Sequence, residues 1–467
     1  MSKPRLHLPV VSDRDLVRIE QTTFRLLAEV GIQIEHPRGI ELLRAIGCQP
    51  KGSRVQIPES VVRQCLQLVN RSAVFHSRDG THSVALDGNE VRVHNGGGPP
   101  FVLDLNGQRR SAVLQDVTQM SRLLDALPNI DVLVPLFGPQ DVPPNVMTIS
   151  AFAELLRNTT KPIGSATVED ADDVRYILAL WRACPAGQRG LPMSFMVSPI
   201  SPLRFPDNIV GAILAVAEAG MQLQILPCPT VGGTAPITLP GLLAQHHAEV
   251  LAGIVLAVAA RPGLPVLSSC RATPLDLRTA TVCWGSPDVG LAGACTAQLA
   301  RRFGLACDSY GFAASSASVD AQHGEEKLAN VLMAALGGVA ILSGAGVLEN
   351  ALTGSYVAAV LDNDLMARVR HICRGYAVTD ETLAFDVMQE VIREDGNFLA
   401  AVHTAEHARD GSVWQPAVAP VKNGDAAAAA RQRAAEILAN HAVAPLPAGV
   451  EKEVQQILAA ARRELVQ

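Results

Sequence analysis

Residues 222–268 read QLQILPCPTVGGTAPITLPGLLAQHHAEVLAGIVLAVAARPGLPVLS and hold one complete strand, loop, helix and strand unit. The short apolar runs at 222–226 and 264–268 predict buried strands, and the long apolar stretch between them predicts a helix of several turns. A long loop, CPTVGGTAPITLP, separates the first strand from the helix, whereas a much shorter one leads from the helix to the next strand. This unit therefore predicts parallel strands joined by a helical crossover.

The same rhythm repeats on both sides of this unit from about residue 110 onward. The candidate strands are 110–113, 131–135, 162–166, 192–197, 222–226, 264–268, 306–309 and 339–343. Eight such units over roughly 270 residues match the size of a (β/α)8 TIM barrel. The sequence thus predicts an α/β fold, a TIM barrel with an N-terminal helical and β appendage and a C-terminal helical tail.

Loop lengths favour the barrel over a doubly wound open sheet, which stays the alternative fold. Four long loops follow the last four predicted strands, and the connections from helix to strand are short. Barrel enzymes carry their active sites on the loops at the carboxyl ends of the strands. We therefore expect these four loops to meet on one rim and to form the candidate site.

Three parts are predicted along the chain: 1–108, 109–378 as the barrel, and 379–467. In the first part Leu16, Ile19, Phe24 and Leu27 share a helical face, and hairpin-type turns at 87–88, 95–96 and 106–107 indicate short strands. Two helices are predicted in the tail, at 426–440 and 451–465. The tail is interpreted as packing or oligomer contact.

Composition places the chain among folded cytoplasmic proteins. It has 467 residues, 48% hydrophobic positions and a net charge of -6, without a basic patch or tail. Nucleic-acid binding is therefore not expected. Nine scattered cysteines, an odd number, indicate a reducing compartment rather than a disulfide scaffold. With no signal-like N-terminus, we expect neither export nor a membrane span.

Several motifs of other enzyme classes are weak or missing. Gly96–Gly98 and Gly344–Gly346 do not match a phosphate-binding glycine motif, so nucleotide binding is disfavoured. The cysteines show no zinc-type spacing, and no metal site is expected. A nucleophile elbow of the form G-x-S-x-G is also absent, which disfavours serine hydrolase chemistry.

Segments spread over residues 95–415 resemble the trimethylamine methyltransferase family, which includes glycine betaine methyltransferases that lack pyrrolysine. The resemblance rests on LDLNGQRR and DVTQMSRLLDALPNID at 103–131, LLRNTTKPI at 155–163, GGTAPITLPGLLAQHHAEVLAGIVLA at 232–257, DAQHGEEK at 320–327, SGAGVLENALTGSY at 343–356, and GNFLAAVHT at 396–404 with His407 downstream.

This resemblance implies that the chain moves a methyl group from a quaternary amine, glycine betaine or a related betaine, to Co(I) of a corrinoid. The corrinoid (cobalamin) would be carried by a separate cognate protein and not stably held by this chain, which lacks the D-x-H-x-x-G cobalamin motif. A homo-oligomer is also implied. The loop that would align with the pyrrolysine segment reads GFAASSASV at 311–319, so trimethylamine is disfavoured as the substrate.

Candidate site residues follow from the rim loops and from this resemblance. A quaternary ammonium has no N–H to donate, so aromatic faces and acids are expected to hold it. The expected catalytic residues are Asp320, Glu349 and His403. The expected substrate-binding residues are Trp284, Tyr310, Phe312, Gln322, Tyr356 and Arg278. Arg271 and His323 are further candidates for binding a substrate carboxylate.

Other interpretations of these residues remain open. Asp320 fits the N-cap of a helix as well as a catalytic acid, and each aromatic side chain fits core packing. Glu325, Ser343 and Val402 depart from the family pattern, which usually has tyrosine, histidine and an acid there. A barrel lyase or hydrolase using Asp320 and Glu349, and a betaine sensor without turnover, are therefore the alternative functions.

Overall fold

The computed structural model describes residues 5–414 and 425–466. In chain order the α-helices are α1 Asp13–Arg25, α2 Pro37–Ala45, α3 Glu59–Gln67, α4 Leu114–Ala126, α5 Pro144–Arg157, α6 Ala171–Ala183, α7 Pro185–Gln188, α8 Asp207–Ala219, α9 Leu239–Ala260, α10 Pro287–Arg302, α11 Ala321–Gly337, α12 Tyr356–Arg374, α13 Asp380–Leu383, α14 Phe385–Arg393, α15 Val402–His407, α16 Ala426–Asn440 and α17 Ala448–Leu465.

Most strands are short. They are β1 Ile32–Ile34, β2 Gln49–Lys51, β3 Arg54–Gln56, β4 Val74–Ser77, β5 Ser83–Ala85, β6 Arg92–Asn95, β7 Phe101–Leu103, β8 Arg109–Ser111, β9 Pro162–Val168, β10 Ser194–Val197, β11 Arg204–Phe205, β12 Gln222–Ile225, β13 Thr230–Val231, β14 Val266–Cys270, β15 Thr273–Asp276, β16 Thr281–Val282, β17 Cys307–Ser309, β18 Ile341–Ala345, β19 Val347–Leu348 and β20 Thr353–Ser355.

A curled nine-stranded sheet forms the centre of the fold. Its order is β5-β4-β9-β10-β12-β14-β17-β18-β6, and every pairing from β9 to β6 is parallel. The prediction of an α/β fold on a curled, mainly parallel sheet is confirmed, but its regular strands do not close into a barrel. Isolated parallel bridges from Val132 to His94 and from Leu133 to Ile163 lie between the two ends of this run.

Six predicted strands match observed strands of the central sheet, namely β9, β10, β12, β14, β17 and β18. The strand predicted at 110–113 is wrong as a barrel strand, because Arg109–Ser111 pairs antiparallel with Phe101–Leu103 in a small separate sheet. Instead β6, which had been assigned to the N-terminal appendage, pairs with β18. The strand predicted at 131–135 is reduced to the two isolated bridges.

The long apolar helix α9 is a core element of this fold. By length and composition it could cross a membrane, but 94% of its apolar window is buried inside the protein. It packs against α1, α3, α8 and α10. The face predicted from Leu16, Ile19, Phe24 and Leu27 is buried, which confirms the first helix of the N-terminal region.

Both predicted tail helices are confirmed and pack on the outer helices of the sheet. α16 lies against α4 and α12, and α17 lies against α5 and α6. The side chain of Arg157 donates to Glu451 at 2.8 Å, and the Tyr176 hydroxyl donates to Glu464 at 2.6 Å. In contrast, α13, α14 and α15 contain no buried residue.

Candidate active site

The carboxyl ends of the parallel strands bring the rim loops together, as predicted. Because parallel strands all point the same way, the loops that follow them leave from one edge of the sheet. Hydrogen bonds that join these loops include Thr273 N to Pro229 O at 3.1 Å, Gly285 N to Ser315 Oγ at 2.9 Å, Trp284 N to Asn350 Oδ1 at 3.0 Å and Glu349 N to Ser316 O at 2.8 Å.

A buried carboxylate lies at the centre of this edge. Asp308 is in the middle of β17, and its Oδ2 accepts from Arg271 Nη2 at 2.7 Å and from Gln224 Nε2. His94 Nε2 lies 3.2 Å from the same oxygen. These partners belong to β6, β12 and the residue after β14, so one carboxylate links side chains from four strands. We call Asp308, Arg271, Gln224 and His94 the central cluster.

Electrostatics keep this cluster charged. Burial alone would raise the pKa of Asp308, but the positive charge of Arg271 and the hydrogen bonds from Arg271 and His94 outweigh it and hold that pKa well below its ordinary value. Burial likewise opposes the charge on Arg271, and Asp308 outweighs it, so the pKa of Arg271 is raised. The site therefore contains a persistent, buried arginine–aspartate ion pair at neutral pH.

Two of the predicted aromatic residues lie next to this cluster. The rings of Trp284 and Tyr310 meet edge to face with centroids 4.8 Å apart. The guanidinium of Arg271 lies 5.3 Å from the centre of the Tyr310 ring. Tyr310 is buried, which raises its pKa, whereas Trp284 is only half-buried. The arrangement places an aromatic pair between the buried ion pair and the surface.

A second buried ion pair anchors the rim loop after β18. Lys327 on α11 donates to Asp362 Oδ2 on α12 at 2.7 Å, and both side chains are fully buried. The same oxygen accepts from Gly346 N at 2.7 Å. Since Gly346 directly follows β18, this pair fixes the start of the loop that carries Glu349 and Asn350.

The carboxylate of Glu326 holds another rim loop. Its Oε2 accepts from the backbone N–H groups of Ser315 at 2.7 Å and Ser316 at 3.3 Å. Gln322, a predicted substrate-binding residue, is exposed and donates to Glu326 Oε1 at 2.8 Å. A Cβ at Gly285 would lie 2.2 Å from Glu326 Cδ, so a glycine is needed for this close approach.

The predicted catalytic acids have structural partners. Asp320 is the N-cap of α11 and accepts from His323 N at 2.9 Å, which corresponds to the capping interpretation. Backbone and hydroxyl hydrogen bonds lower the pKa of Asp320. Glu349 accepts from Arg109 Nε at 2.7 Å and from the Thr353 hydroxyl. These contacts leave neither acid in the central cluster.

Other predicted residues are also held elsewhere. Phe312 is fully buried in the main hydrophobic core, and the hydroxyl of Tyr356 donates to Asp116 Oδ1 on α4 at 3.0 Å. Arg278 is 89% exposed at a hairpin tip, where it pairs with Asp276. His403 lies on α15 with its ring 4.3 Å from that of His407.

Sequence reasoning missed three members of the central cluster, namely His94, Gln224 and Asp308. Each is a polar residue within a short strand that is mostly buried, and Asp308 is 214 residues from His94 and 84 residues from Gln224 along the chain. The available signal was the alternation of glutamine with leucine and isoleucine at 222–225, since alternate strand residues face opposite sides of a sheet.

Comparison with known proteins identifies the class of protein as a methyltransferase. The sequence model described as "Trimethylamine methyltransferase (MTTB)" matches residues 2–466, so the chain belongs to the trimethylamine methyltransferase family. A glycine betaine methyltransferase from Desulfitobacterium hafniense is 29% identical, with 98% of each chain covered. A trimethylamine methyltransferase, MttB, from the same species is 30% identical over 96% of this chain and 92% of that protein.

One solved structure shows the same fold. The monomethylamine methyltransferase of Methanosarcina barkeri aligns with a TM-score of 0.51 at 15% sequence identity, covering 98% of this chain and 94% of that one. At this level of identity the likeness concerns the fold alone. It agrees with a TIM-barrel-like arrangement of the curled parallel sheet.

Proposed function

We propose that this chain transfers a methyl group from a quaternary amine, glycine betaine or a related betaine, to a Co(I) corrinoid carried by a separate protein. The observation that carries the proposal is the Trp284–Tyr310 aromatic pair beside the buried Arg271–Asp308 ion pair. Aromatic faces bind a quaternary ammonium through cation–π attraction. The glycine betaine methyltransferase among the relatives supports this substrate class.

Methyl transfer from a quaternary amine requires no general acid. The corrinoid supplies the nucleophile that accepts the methyl group, while the electron pair of the broken C–N bond stays on nitrogen. Since the amine leaves neutral, the chain only has to bind the ammonium, hold one methyl group towards the rim and exclude alternative orientations. Trp284 and Tyr310 are the residues assigned to this task, in place of Asp320, Glu349 and His403.

Exposed aliphatic side chains fit the docking of a corrinoid protein at the rim. Ile237 is 62% exposed and Leu277 is 60% exposed, and both lie within 4 Å of the Cβ position of Gly232. Leu352, on the loop after β18, is 46% exposed. A corrinoid bound by its own carrier protein agrees with these features.

The test is a visible-spectrum assay with the full chain and a Co(I) corrinoid protein. Glycine betaine, proline betaine, carnitine, γ-butyrobetaine, trimethylamine and tetramethylammonium are supplied one at a time. We expect conversion of Co(I) to methyl-Co(III) with at least one betaine and none with trimethylamine. Reaction with trimethylamine alone, or with no compound, would overturn the proposal.

The alternative lyase or hydrolase finds less support in these contacts. It required Asp320 and Glu349 as an acid and base pair, but one is a helix cap and the other is paired with Arg109. The sensor alternative is distinguished by the same assay, because it expects betaine binding without any methylation of cobalt.

We further propose that the sheet acts as a closed (β/α)8 barrel, with residues 132–133 completing the ring through their isolated bridges to His94 and Ile163. In this interpretation the three predicted parts, 1–108, 109–378 and 379–467, keep their order, but the barrel begins at β6 and not at residue 109. Amide exchange tests it: protection at 132–134 comparable to that in β10 is expected, and rapid exchange there would contradict closure.

We also propose a cytoplasmic homo-oligomer. Apolar side chains of the segment 376–402 are largely exposed in the single chain: Tyr376 85%, Val378 80%, Phe385 65%, Ile392 72%, Leu399 88% and Val402 72%. Exposed apolar patches of this kind mark protein contacts, and a second copy of the chain is the occupant that the family resemblance implies. Light scattering should give a multiple of the chain mass, and Ile392→Glu with Leu399→Glu should lower that multiple. A monomer would contradict the proposal.

A further inference from the structure

The guanidinium of Arg271 has unused hydrogen-bond donors in a buried position. An arginine side chain carries five N–H donors. In Arg271, Nη2 donates to Asp308 at 2.7 Å and Nη1 donates to the carbonyl of Cys270 at 2.9 Å. Within residues 5–414 and 425–466 it makes no further hydrogen bond, although the side chain is only 7% exposed. Three N–H donors of a buried cation are therefore available to a ligand.

The charge of Asp308 does not depend on Arg271 alone. Gln224 and His94 contact the same Oδ2 that accepts from Arg271. Arg271 is therefore one of three side chains that hold this carboxylate in place. A buried arginine that is fixed by two acceptors and has N–H donors left over is suited to bind a carboxylate through two parallel hydrogen bonds.

Distances at the site limit the kind of molecule that can use both features. Arg271 Cζ lies 5.3 Å from the centre of the Tyr310 ring, and the centres of the Tyr310 and Trp284 rings are 4.8 Å apart. In glycine betaine the N–C and C–C bonds are like those of a backbone residue, about 1.46 and 1.52 Å, so nitrogen and carboxyl carbon are only about 2.5 Å apart. A glycine betaine whose carboxylate binds Arg271 therefore keeps its ammonium group near that guanidinium, which itself lies beside the Tyr310 ring.

We propose that Arg271, positioned by Asp308, binds the carboxylate of the substrate and makes the site selective for short zwitterions over simple quaternary ammonium ions. This inference rests on the proposed function for the identity of the ammonium group. It replaces Arg278, which is 89% exposed and paired with Asp276, as the carboxylate-binding arginine.

Calorimetric binding to the full chain, without any corrinoid, tests the inference. Arg271→Lys keeps the charge but removes the planar fork. We expect it to weaken glycine betaine binding by roughly 10- to 100-fold, which is the range for a hydrogen-bonded charged group, and to leave tetramethylammonium binding within about 2-fold. Arg278→Lys is the matched control on the same rim and should leave both affinities unchanged.

A second variant covers the case in which Arg271→Lys does not fold. Arg271→Met with Asp308→Asn removes both charges of the pair, so no uncompensated buried charge remains. It should show the same selective loss of betaine binding. Equal weakening of both ligands, or betaine binding that either variant leaves intact, would overturn the inference.

Failure of this inference and failure of the proposed function give different results. Betaine binding that depends on Arg271, without methylation of cobalt, would remove the proposed function and keep the carboxylate site. Methylation of cobalt that is equally fast in the Arg271→Lys variant would keep the function and remove the carboxylate site.

Discussion

Replacing Lys327 with methionine should destabilise the protein far more than the loss of a surface charge. Lys327 and Asp362 are both fully buried, and within residues 5–414 and 425–466 the one further hydrogen-bond donor to Asp362 is Gly346 N. Burial opposes both charges: it lowers the pKa of Lys327 and raises that of Asp362, and only their mutual attraction resists these shifts. Removing the lysine leaves a buried carboxylate without its counter-charge.

The size of the effect follows from the burial of the pair. Breaking a buried ion pair by removing one partner destabilises a protein by about 3–5 kcal/mol. Unfolding entropy is about 2.1 cal/mol/K per residue, or about 1 kcal/mol/K for a chain of this length. The thermal midpoint of Lys327→Met should therefore fall by about 3–5 °C. Adding Asp362→Asn removes the orphaned charge and should restore most of that loss.

Scanning calorimetry of three variants checks this reasoning. Arg25→Met is the matched control, because Arg25 pairs with Glu29 at 3.1 Å on a helix surface where the side chains are 73% and 62% exposed. Such exposed pairs contribute little to stability, so its midpoint should move by less than about 1 °C. If Lys327→Met shifted the midpoint no more than Arg25→Met, or if the double variant were less stable than Lys327→Met, the reasoning would be refuted.

Three further predictions concern close packing, acid stability and one hydroxyl. Gly285→Ala should raise the KM for betaine several-fold, because its Cβ would displace the Glu326 carboxylate that holds the neighbouring rim loop. Gly324→Ala has open space around the new Cβ and should stabilise α11 by about 0.5–1 kcal/mol. Kinetics and thermal melting of both variants check this, and a KM of Gly285→Ala equal to that of the unchanged protein would count against the packing argument. Burial lowers the pKa of His246 to about 3 and of His247 to about 4. Unfolded histidines protonate near pH 6.5, so the unfolded chain takes up more protons and the free energy of unfolding should fall as the pH drops from about 6.5 to 4. The urea midpoint should fall less steeply with pH in His246→Gln. An unchanged dependence of the midpoint on pH would contradict the lowered pKa of His246. Tyr356→Phe loses the hydroxyl that donates to Asp116 on α4, so the free energy of unfolding should fall by about 0.5–1.5 kcal/mol while the KM stays unchanged. A KM change above about 5-fold would place Tyr356 in the substrate site.

Much of the central sheet was predictable because its strands are short apolar runs between turn residues. The strands at 162–168, 222–225 and 341–345 are fully or largely buried, and each had been predicted to within a few residues. Long buried helices such as α9 carry the strongest apolar signal of the chain. The tail helix Ala426–Asn440 was predicted at its observed bounds.

The pairing of the first strand of the parallel run could not be predicted from the local sequence pattern. Arg92–Asn95 lies between turn-type dipeptides, which favour hairpins, yet its partner is β18, about 250 residues away. Parallel pairing at such separation leaves no mark in the sequence near the strand. The residues at 110–113 show similar alternation, but they form an exposed hairpin strand with Phe101–Leu103.

The candidate site was predictable in its location and only partly in its residues. The aromatic pair was expected because Trp284 and Tyr310 are rare residue types on rim loops. The carboxylate Asp308 was not, since one acid in the run ACDS has no pattern that separates it from a surface residue. Only the curvature of the sheet brings it to His94 and Gln224.

Transfer of an intact labelled methyl group tests the central claim most directly. Full-length protein, a Co(I) corrinoid protein and glycine betaine with three trideuterated N-methyl groups are mixed, and the corrinoid and amine are analysed by mass spectrometry. The proposed function predicts one trideuteromethyl group on cobalt for each molecule of dimethylglycine formed, with trimethylamine unreactive. Dimethylglycine formed without labelled methyl-cobalt, or no demethylation of any betaine, would contradict it.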